Sequence, residues 1–198
     1  MKELKRFCSF LIVAILFTSC TKTTDFYTIQ GEAQGSTYSI KYISTEEKVT
    51  KNQIDSLLTA FDLSLSTYRP DSKISKINAG DSTVVVDEFF TETFQLSNQI
   101  YKETNGLFDP TIGVLVNAYG FGPNKKHQDL SQKQVDSLLQ FVGFDKIVLN
   151  SNKTLSKKYN QTFIDFNAIA QGYSVDVVVN YLKSKGIENA IVEIGGEL

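Results

Sequence analysis

The chain has 198 residues, of which 41% are hydrophobic, and a formal net charge of −2. Its charged residues are interspersed, without the basic stripe that nucleic-acid-binding proteins present, so we exclude nucleic acid as a partner. The one histidine, His127, lies in a polar run, which leaves a serine-histidine-aspartate hydrolase without its base. The sequence also lacks CxxC, HExxH and P-loop patterns, which excludes zinc and Walker-type nucleotide chemistry.

The N-terminal segment has the organisation of a bacterial export signal. A basic segment, 1–6, precedes an apolar run, 7–17, and the small residues Thr18 and Ser19 then lead to Cys20. The apolar run is shorter than the roughly 18–20 residues that cross a bilayer as a helix. This order predicts a cleaved secretory signal, and small residues directly before a cysteine are similar to a lipobox, which indicates lipidation of Cys20.

We accordingly divide the chain into a signal peptide at residues 1–19, a polar tether at 20–25 and one folded domain at 26–198. After cleavage Cys20 is the only cysteine, so the domain depends on its hydrophobic core rather than on a disulfide. We expect an exported protein that a lipid anchors to the bacterial membrane, facing the periplasm.

The first elements are two strands and a helix. Residues 26–34 and 37–43 are rich in Tyr, Thr and Ile with alternating apolar positions, and Gly35 between them predicts a tight turn. A capping box at 50–53 precedes apolar residues at helical spacing, which predicts a helix over 51–65.

The middle of the chain predicts two further helices. The three valines at 84–86 have the pattern of a short buried strand. Residues 88–103 have the pattern of a helix, which ends before the Asn-Gly pair at 105–106. A second capping box at 131–134 begins an amphipathic helix that ends near Gly143.

The last third combines short strands with a long helix. Strands are predicted at 147–150, 154–158 and 162–166, of which the first two form a hairpin. A helix begins at Ala168 and ends at Gly186, and a strand follows at 190–194. The pattern predicts an α+β fold of mixed helices and strands. Because the chain stops directly after that strand and a glycine pair, we expect truncation at the C-terminus.

Residues 105–122 form the first of three segments with candidate binding residues. Glycines and a proline interrupt an otherwise apolar sequence, which lets backbone amides approach a ligand beside aromatic rings. A turn-rich connection without a ligand fits the same pattern.

The second segment, 164–176, is a strand that runs into a helix through small and polar residues. Unpaired N–H groups and a partial positive charge at a helix N-terminus favour a phosphate. Asp165 or Asn167 fits equally the role of a helix N-cap.

The third segment combines Gly35–Tyr38 with residues 66–72. Tyr68, beside serine and threonine and before a proline turn, has the side chain to stack on a planar ring or to seal the end of the preceding helix.

Taken in order, these segments resemble the ApbE family of FAD:protein FMN transferases. Residues 35–38 are similar to an early strand of that family, 66–68 to its Ser-Thr-Tyr turn, and 108–122 to its glycine-aromatic flavin loop. Residues 165–176 match its Asp-x-x-Ala-x-Ala-x-Gly-Tyr-x-x-Asp signature, and 194–197 its glycine-pair strand. The resemblance implies an ApbE-like fold.

The resemblance also implies a set of binding residues. Those expected to contact FAD are Tyr68, Leu107, Phe108, Asp109 and Asp165. The backbone carbonyl of Ala168 is the implied Mg²⁺ ligand, and oxygen suits that hard cation. Two positions that contact FAD depart from the family: Gln34 replaces a common methionine, and Gln171 a common lysine. The lost positive charge predicts weaker or rearranged FAD binding.

The reaction implied by the resemblance is magnesium-dependent transfer of FMN from FAD to a threonine or serine hydroxyl of an acceptor protein, with release of AMP. The acceptor is expected to be a subunit of a membrane redox complex. Two alternatives are an FAD pyrophosphatase, which forms FMN and AMP, and a non-catalytic periplasmic flavin-binding lipoprotein. Because family members supply further metal ligands and a histidine-containing catalytic segment from later sequence, this fragment is expected to be a poor catalyst.

Overall fold

The computed structural model describes residues 23–123 and 127–198. The predicted signal peptide and the lipidation site at Cys20 lie outside the described residues, and both stay predictions. Within the described part the chain mixes helices with antiparallel sheet, which confirms the predicted fold class. No helix in that part is long and apolar enough to cross a membrane.

The elements follow one another along the chain as here numbered: β1 (Asp25–Ala33), β2 (Ser36–Ser44), α1 (Lys51–Leu65), α2 (Lys73–Asn78), α3 (Glu88–Glu103), α4 (Gly113–Ala118), α5 (Gln132–Leu139), a 3₁₀ turn (Phe144–Lys146), β3 (Ile147–Leu149), β4 (Leu155–Lys157), α6 (Asn167–Ser184) and β5 (Ala190–Ile194).

The main sheet has three antiparallel strands in the order β1-β2-β5. Ala33 pairs with Ser36, so the hairpin loop is the two residues Gln34 and Gly35, whose φ values are 56° and 74°. Positive φ at both loop positions is the type I′ geometry, which matches the twist of the strands. The tight turn expected at Gly35 is therefore confirmed.

Helices α1 and α6 cover the inner face of this sheet. The capping box of α1 forms, with the Thr50 amide donating to Gln53 Oε1 over 2.9 Å. Ile54 and Leu58 of α1 join a core cluster with the sheet and with Val178 of α6. One helical turn further along α1, the side chains enter a second cluster, formed with α3 and the segment before α6. Helix α1 thus connects both halves of the core.

Two predicted strands are absent from the described fold. Residues 84–86 pair with no strand: Val85 is 55% exposed, and only Val86 is buried, where its amide donates to the Lys153 carbonyl. Residues 162–166 make a single parallel bridge, between Phe163 and Ile112. The backbone next to each of these two segments is a loop. Neither apolar segment therefore has a neighbouring strand with which to form a β-ladder.

The segment before α6 is held by side chains instead of a sheet. Asn78 Nδ2 donates to the Ile164 carbonyl and Asn78 Oδ1 accepts from the Ile164 amide, both over 2.8 Å. Lys157 donates to three backbone carbonyls, those of Asn78, Asn160 and Thr162. Burial lowers the pKa of Lys157. One asparagine and one lysine thereby fix the entry to α6.

The remaining predictions differ in detail. The 147–150 and 154–158 hairpin is confirmed as β3 and β4. The amphipathic helix predicted to end near Gly143 forms as α5 but ends at Leu139, and none of its side chains is fully buried. The short helices α2 and α4 have six residues each and were not predicted.

Candidate functional site

A cleft of about 620 Å³ opens between the β1–β2 turn, the end of α1 and the start of α6. This volume lies within the range of small-molecule and cofactor sites. Its polar and aromatic lining residues are Gln34, Phe61, Asp62, Ser66, Tyr68, Arg69, Asn167 and Gln171. The main sheet contributes through its hairpin, and the two core helices supply the walls.

The N-terminus of α6 forms one side of this cleft. The N-cap of α6 is Phe166, without a side-chain cap bond, so neither Asp165 nor Asn167 has that role. Asp165 precedes the N-cap, and its Oδ1 accepts a hydrogen bond from the Asn167 amide over 2.8 Å. Burial raises the pKa of Asp165, and the hydrogen bonds from Asn167 oppose that rise. The Asn167 side chain donates to Thr67 Oγ1 over 3.3 Å, which ties α6 to the loop after α1. An 18-residue helix thus presents its partially positive end beside the cleft.

The glycine-aromatic segment and the start of α6 come together, as a shared site requires. The Asp165 amide donates to the Pro110 carbonyl over 2.8 Å. The bridge between Ile112 and Phe163 lies directly beside this bond. The turn that contains Asp109 therefore lies against the junction that contains Ala168.

Gly113 allows the segment after Pro110 to pack closely against Phe163. We expect Gly113→Ala to destabilise the protein by about 1–3 kcal/mol through overpacking. A β-carbon at this position would lie 2.5 Å from the Phe163 ring and 2.8 Å from its backbone oxygen. Gly172, in α6, has open space where a β-carbon would stand, so Gly172→Ala is the matched control and should stabilise by up to about 1 kcal/mol. Urea unfolding measures both, and equal effects would contradict the assigned packing.

The candidate residues lie in three places: the cleft lining, the start of α6 and the turn next to it. Gln34, Tyr68 and Gln171 line the cleft. Asp165 and Ala168 lie at the N-terminus of α6, outside the set of lining residues; Ala168 is exposed, in the first turn of α6.

Leu107, Phe108 and Asp109 lie in the adjoining turn and likewise do not line the cleft among the described residues. Leu107 is 93% exposed. Asp109 Oδ1 accepts from the amide and the hydroxyl of Thr111, at 2.8 and 2.6 Å. The Thr111 hydroxyl accepts in turn from the Gly143 amide. In this structure Asp109 therefore orders its own turn.

The two glutamines that depart from the family pattern are linked through one hydroxyl. Ser174 Oγ lies 2.6 Å from the Gln171 carbonyl and 3.2 Å from Gln34 Oε1. The Gln171 side chain donates to the Ile194 carbonyl over 3.3 Å. Gln34 Nε2 is buried without an acceptor among the described residues. This wall of the cleft is polar and uncharged.

Tyr68 lines the cleft from the loop after α1. Its ring is 54% exposed, and its hydroxyl donates to the Phe121 carbonyl over 3.3 Å. An exposed ring held at one end by a hydrogen bond presents a face on which a planar heterocycle can stack.

Asp62 and Arg69 were missed by the sequence reasoning although both line the cleft. Asp62 lies in the last turn of α1, where the helical pattern marks it only as a polar position. Arg69 stood inside the Ser-Thr-Tyr segment without an assigned role. Both residues line the cleft only because the end of α1 lies near the start of α6. No local sequence pattern predicts that these two distant segments come together.

The residues present offer part of a magnesium site. Asp165 and the Ala168 carbonyl are oxygen donors of the kind that Mg²⁺ binds. No group of three His, Cys, Asp or Glu side chains in the described ranges is arranged to hold a metal. Since Mg²⁺ commonly takes only one or two protein ligands and completes its shell with phosphates and water, the two donors fit a substrate-dependent site.

The fold and the cleft define a mixed helix-and-sheet domain with a nucleotide-sized site at a helix N-terminus. Residues 34–198 match the model of the ApbE family. The chain belongs to the ApbE family.

Relatives and solved structures agree with this membership. A Haemophilus influenzae protein named FAD:protein FMN transferase is 33% identical over 211 residues, covering 100% of this chain and 61% of that protein. A Vibrio cholerae protein of the same name is 35% identical, covering 93% and 57%. The structure of flavin transferase ApbE from Vibrio cholerae superposes with a TM-score of 0.80 at 33% identity, covering 88% of this chain and 58% of that one.

A more distant structure gives the same result. The apo form of the Pseudomonas stutzeri flavinyl transferase ApbE has a TM-score of 0.79 at 29% identity and covers 87% of this chain and 59% of that one. The chain spans 61% and 57% of the length of the two curated relatives described above.

Proposed function

We propose that this protein takes part in the transfer of FMN from FAD to a threonine or serine hydroxyl of an acceptor protein, with release of AMP. The observation that carries the proposal is the cleft at the N-terminus of α6, next to the contact between Asp165 and Pro110. The relatives named FAD:protein FMN transferase support it.

Each part of the site has a role in this proposal. The pyrophosphate of FAD lies at the N-terminus of α6, where unpaired amides and the helix dipole favour negative charge. Tyr68 stacks on a ring of the dinucleotide, while Gln34 and Gln171 hydrogen-bond it. Leu107, Phe108 and Asp109 contact it from the adjoining turn. Asp165 contacts the dinucleotide at the start of α6. The Ala168 carbonyl would be one ligand of Mg²⁺, which when bound would offset the charge of the phosphates.

The reaction is a displacement at the phosphorus on the FMN side. The acceptor hydroxyl attacks that phosphorus, a phosphoester bond forms, the anhydride bond to AMP breaks, and the hydroxyl proton is released. Chemistry of this kind depends on positioning and on charge stabilisation more than on an enzyme nucleophile. The protein groups described above bind and orient the dinucleotide.

Two other functions use the same cleft. In FAD hydrolysis, water replaces the acceptor hydroxyl and yields FMN and AMP. In a flavin-binding lipoprotein without catalysis, FAD stays intact, and the neutral Gln171 in place of lysine favours this alternative. Both are outcomes of the activity test.

We further propose that the protein is exported, loses residues 1–19, and is anchored by a lipid on Cys20 facing the periplasm. An acceptor in the same compartment, such as a subunit of a membrane redox complex, would then be within reach. Metabolic labelling with a radioactive fatty acid tests the anchor, and Cys20→Ala should abolish incorporation. Persistent labelling of that variant would contradict it.

The test of the activity is an incubation of the protein with FAD, Mg²⁺ and a candidate acceptor, followed by denaturing electrophoresis and detection of flavin fluorescence. The Vibrio cholerae relative is the positive control. Fluorescence on the acceptor supports transfer. Free FMN without labelling supports hydrolysis, and bound, intact FAD supports the binding function. No binding of FAD would overturn the proposal.

Gln171→Lys should raise the affinity for FAD by roughly tenfold, because an ammonium group makes a charge-assisted bond to phosphate that the amide cannot make. The matched control is Gln140→Lys, which adds the same charge just after α5, outside the set of residues that line the cleft. Titration of FAD fluorescence measures both variants. An equal response of the two would show that the gain comes from overall charge.

A further inference from the structure

The Asp62 carboxylate lies where its surroundings disfavour a negative charge. It lies in the last turn of α1, where the negative end of the helix dipole disfavours an anion. Burial raises the pKa of Asp62, and only the charge of Arg69 opposes that rise. Among the described residues the carboxylate has no hydrogen-bonding partner. Its oxygens are not among the fully buried unpaired atoms of the described residues, so they stay accessible to water or to a ligand in the cleft.

Arg69 lies in the same cleft and is oriented by a neighbour. Its Nε and Nη2 groups donate to the two carboxylate oxygens of Asp71, at 3.2 and 2.9 Å. This fork fixes the guanidinium plane and leaves Nη1 uncommitted among the described residues. Asp62 and Arg69 act on each other electrostatically but are not within the 4 Å of an ion pair in the described structure. The cleft is therefore lined by an acceptor and a cationic donor that form no ion pair with each other in the described structure.

The chemistry of these two side chains matches a sugar next to a phosphate. A carboxylate accepts hydrogen bonds from two neighbouring hydroxyls, as acidic residues do for ribose in dinucleotide sites. A guanidinium edge binds a phosphate oxygen. FAD carries this arrangement twice, in the ribose phosphate of its AMP half and in the ribityl phosphate of its FMN half.

We propose that Asp62 and Arg69 are a second recognition pair of the cleft, in which Asp62 binds sugar hydroxyls and Arg69 the adjacent phosphate. The inference rests on the proposed function and adds to it the residues that read the hydroxylated part of the dinucleotide. The N-terminus of α6 provides the first recognition element, from another wall of the same cleft.

The test is titration of FAD into the full chain and its Asp62→Asn, Asp62→Ala and Arg69→Gln variants. We expect a loss of affinity of roughly tenfold or more for each, the size associated with a charged hydrogen bond. Asp136→Asn, on the exposed face of α5, is the charge-matched control and should bind as the wild type does. The melting temperature of Asp62→Asn should be unchanged or higher, since the variant removes a half-buried charge from the negative end of a helix dipole.

Competing ligands identify the sugar. If Asp62 binds the ribose, the wild type should prefer AMP over 2′,3′-dideoxy-AMP, and Asp62→Asn should not. If it binds the ribityl chain, the same loss of discrimination should appear between riboflavin and lumiflavin, which differ in the ribityl hydroxyls but not in a phosphate. Either pattern supports the inference and locates the sugar.

The failures are distinguishable. A wild type that binds no FAD overturns the proposed function together with this inference. A wild type that binds FAD no more tightly than Asp62→Asn and Asp62→Ala overturns the inference alone. A parallel fall in affinity and melting temperature would assign Asp62 a structural role and would also overturn it.

Discussion

Replacing Phe166 by alanine should lower the free energy of unfolding by about 3–5 kcal/mol, the cost of deleting a large buried aromatic side chain. Phe166 is fully buried and packs edge-on against Phe90, with ring centroids 5.4 Å apart. It lies between Asp165 and Asn167, so its ring anchors the start of α6 in the core. Since domains are commonly stable by only about 5–15 kcal/mol, this loss is a large fraction of the total.

Urea unfolding followed by circular dichroism measures the effect, and Phe121→Ala provides the control. Phe121 is 78% exposed, so its removal should change stability by no more than about 0.5 kcal/mol. A loss below about 1 kcal/mol for Phe166→Ala would mean that the start of α6 is not anchored by this ring.

Asn78→Ala should cost about 2–4 kcal/mol, because it leaves two buried backbone groups without partners. Asn78 satisfies both the amide and the carbonyl of Ile164, and Ile164 is fully buried. Alanine cannot replace either bond, and water has no ready access to Ile164. The segment that carries Asp165 should loosen, and FAD affinity should fall in parallel.

The matched control is Asn152→Ala, in the exposed turn between β3 and β4. Its side chain accepts bonds from Thr154 only within that turn, so we expect a loss below about 1 kcal/mol. Denaturation midpoints compare the two. A similar, small effect at both positions would show that Ile164 finds other partners.

Local patterns predicted the elements that carry their own signals. Helix α1 has a capping box and regular apolar spacing, and it forms over the predicted residues. The β1–β2 hairpin has alternating side chains and a glycine in its loop, and it forms as expected. In both, neighbours in sequence are also neighbours in space, so the sequence contains the determining contacts.

The failures came from contacts between distant segments. Residues 84–86 lie beside a loop around Lys153 and not beside a strand. The sequence around 84–86 has no pattern that predicts this neighbour. Residues 162–166 have strand-like composition, yet the side chain of Asn78 takes the place of a partner strand. The helix α2 had one usable signal, the Ser72 cap, which bonds the Ser75 amide.

Some residues of the candidate site could be predicted from the sequence, and others could not. The resemblance to a family pointed to Gln34, Tyr68 and Gln171, which line one cleft. Asp62 was missed because a polar residue in the last turn of a helix is common and carries no signal of its own. Its relevance arises only when the end of α1 meets the start of α6.

The turn between β1 and β2 illustrates how binding and stability diverge in this molecule. Gln34 occupies a left-handed backbone conformation, at φ 56°, that asparagine or glycine adopts at lower energy. A sequence optimised for the hairpin alone would place one of them there. The glutamine side chain is longer than that of asparagine, and its amide oxygen accepts a hydrogen bond from the Ser174 hydroxyl on α6. The turn thus adopts a less favourable backbone conformation, and in exchange Gln34 links the main sheet to α6 beside the cleft.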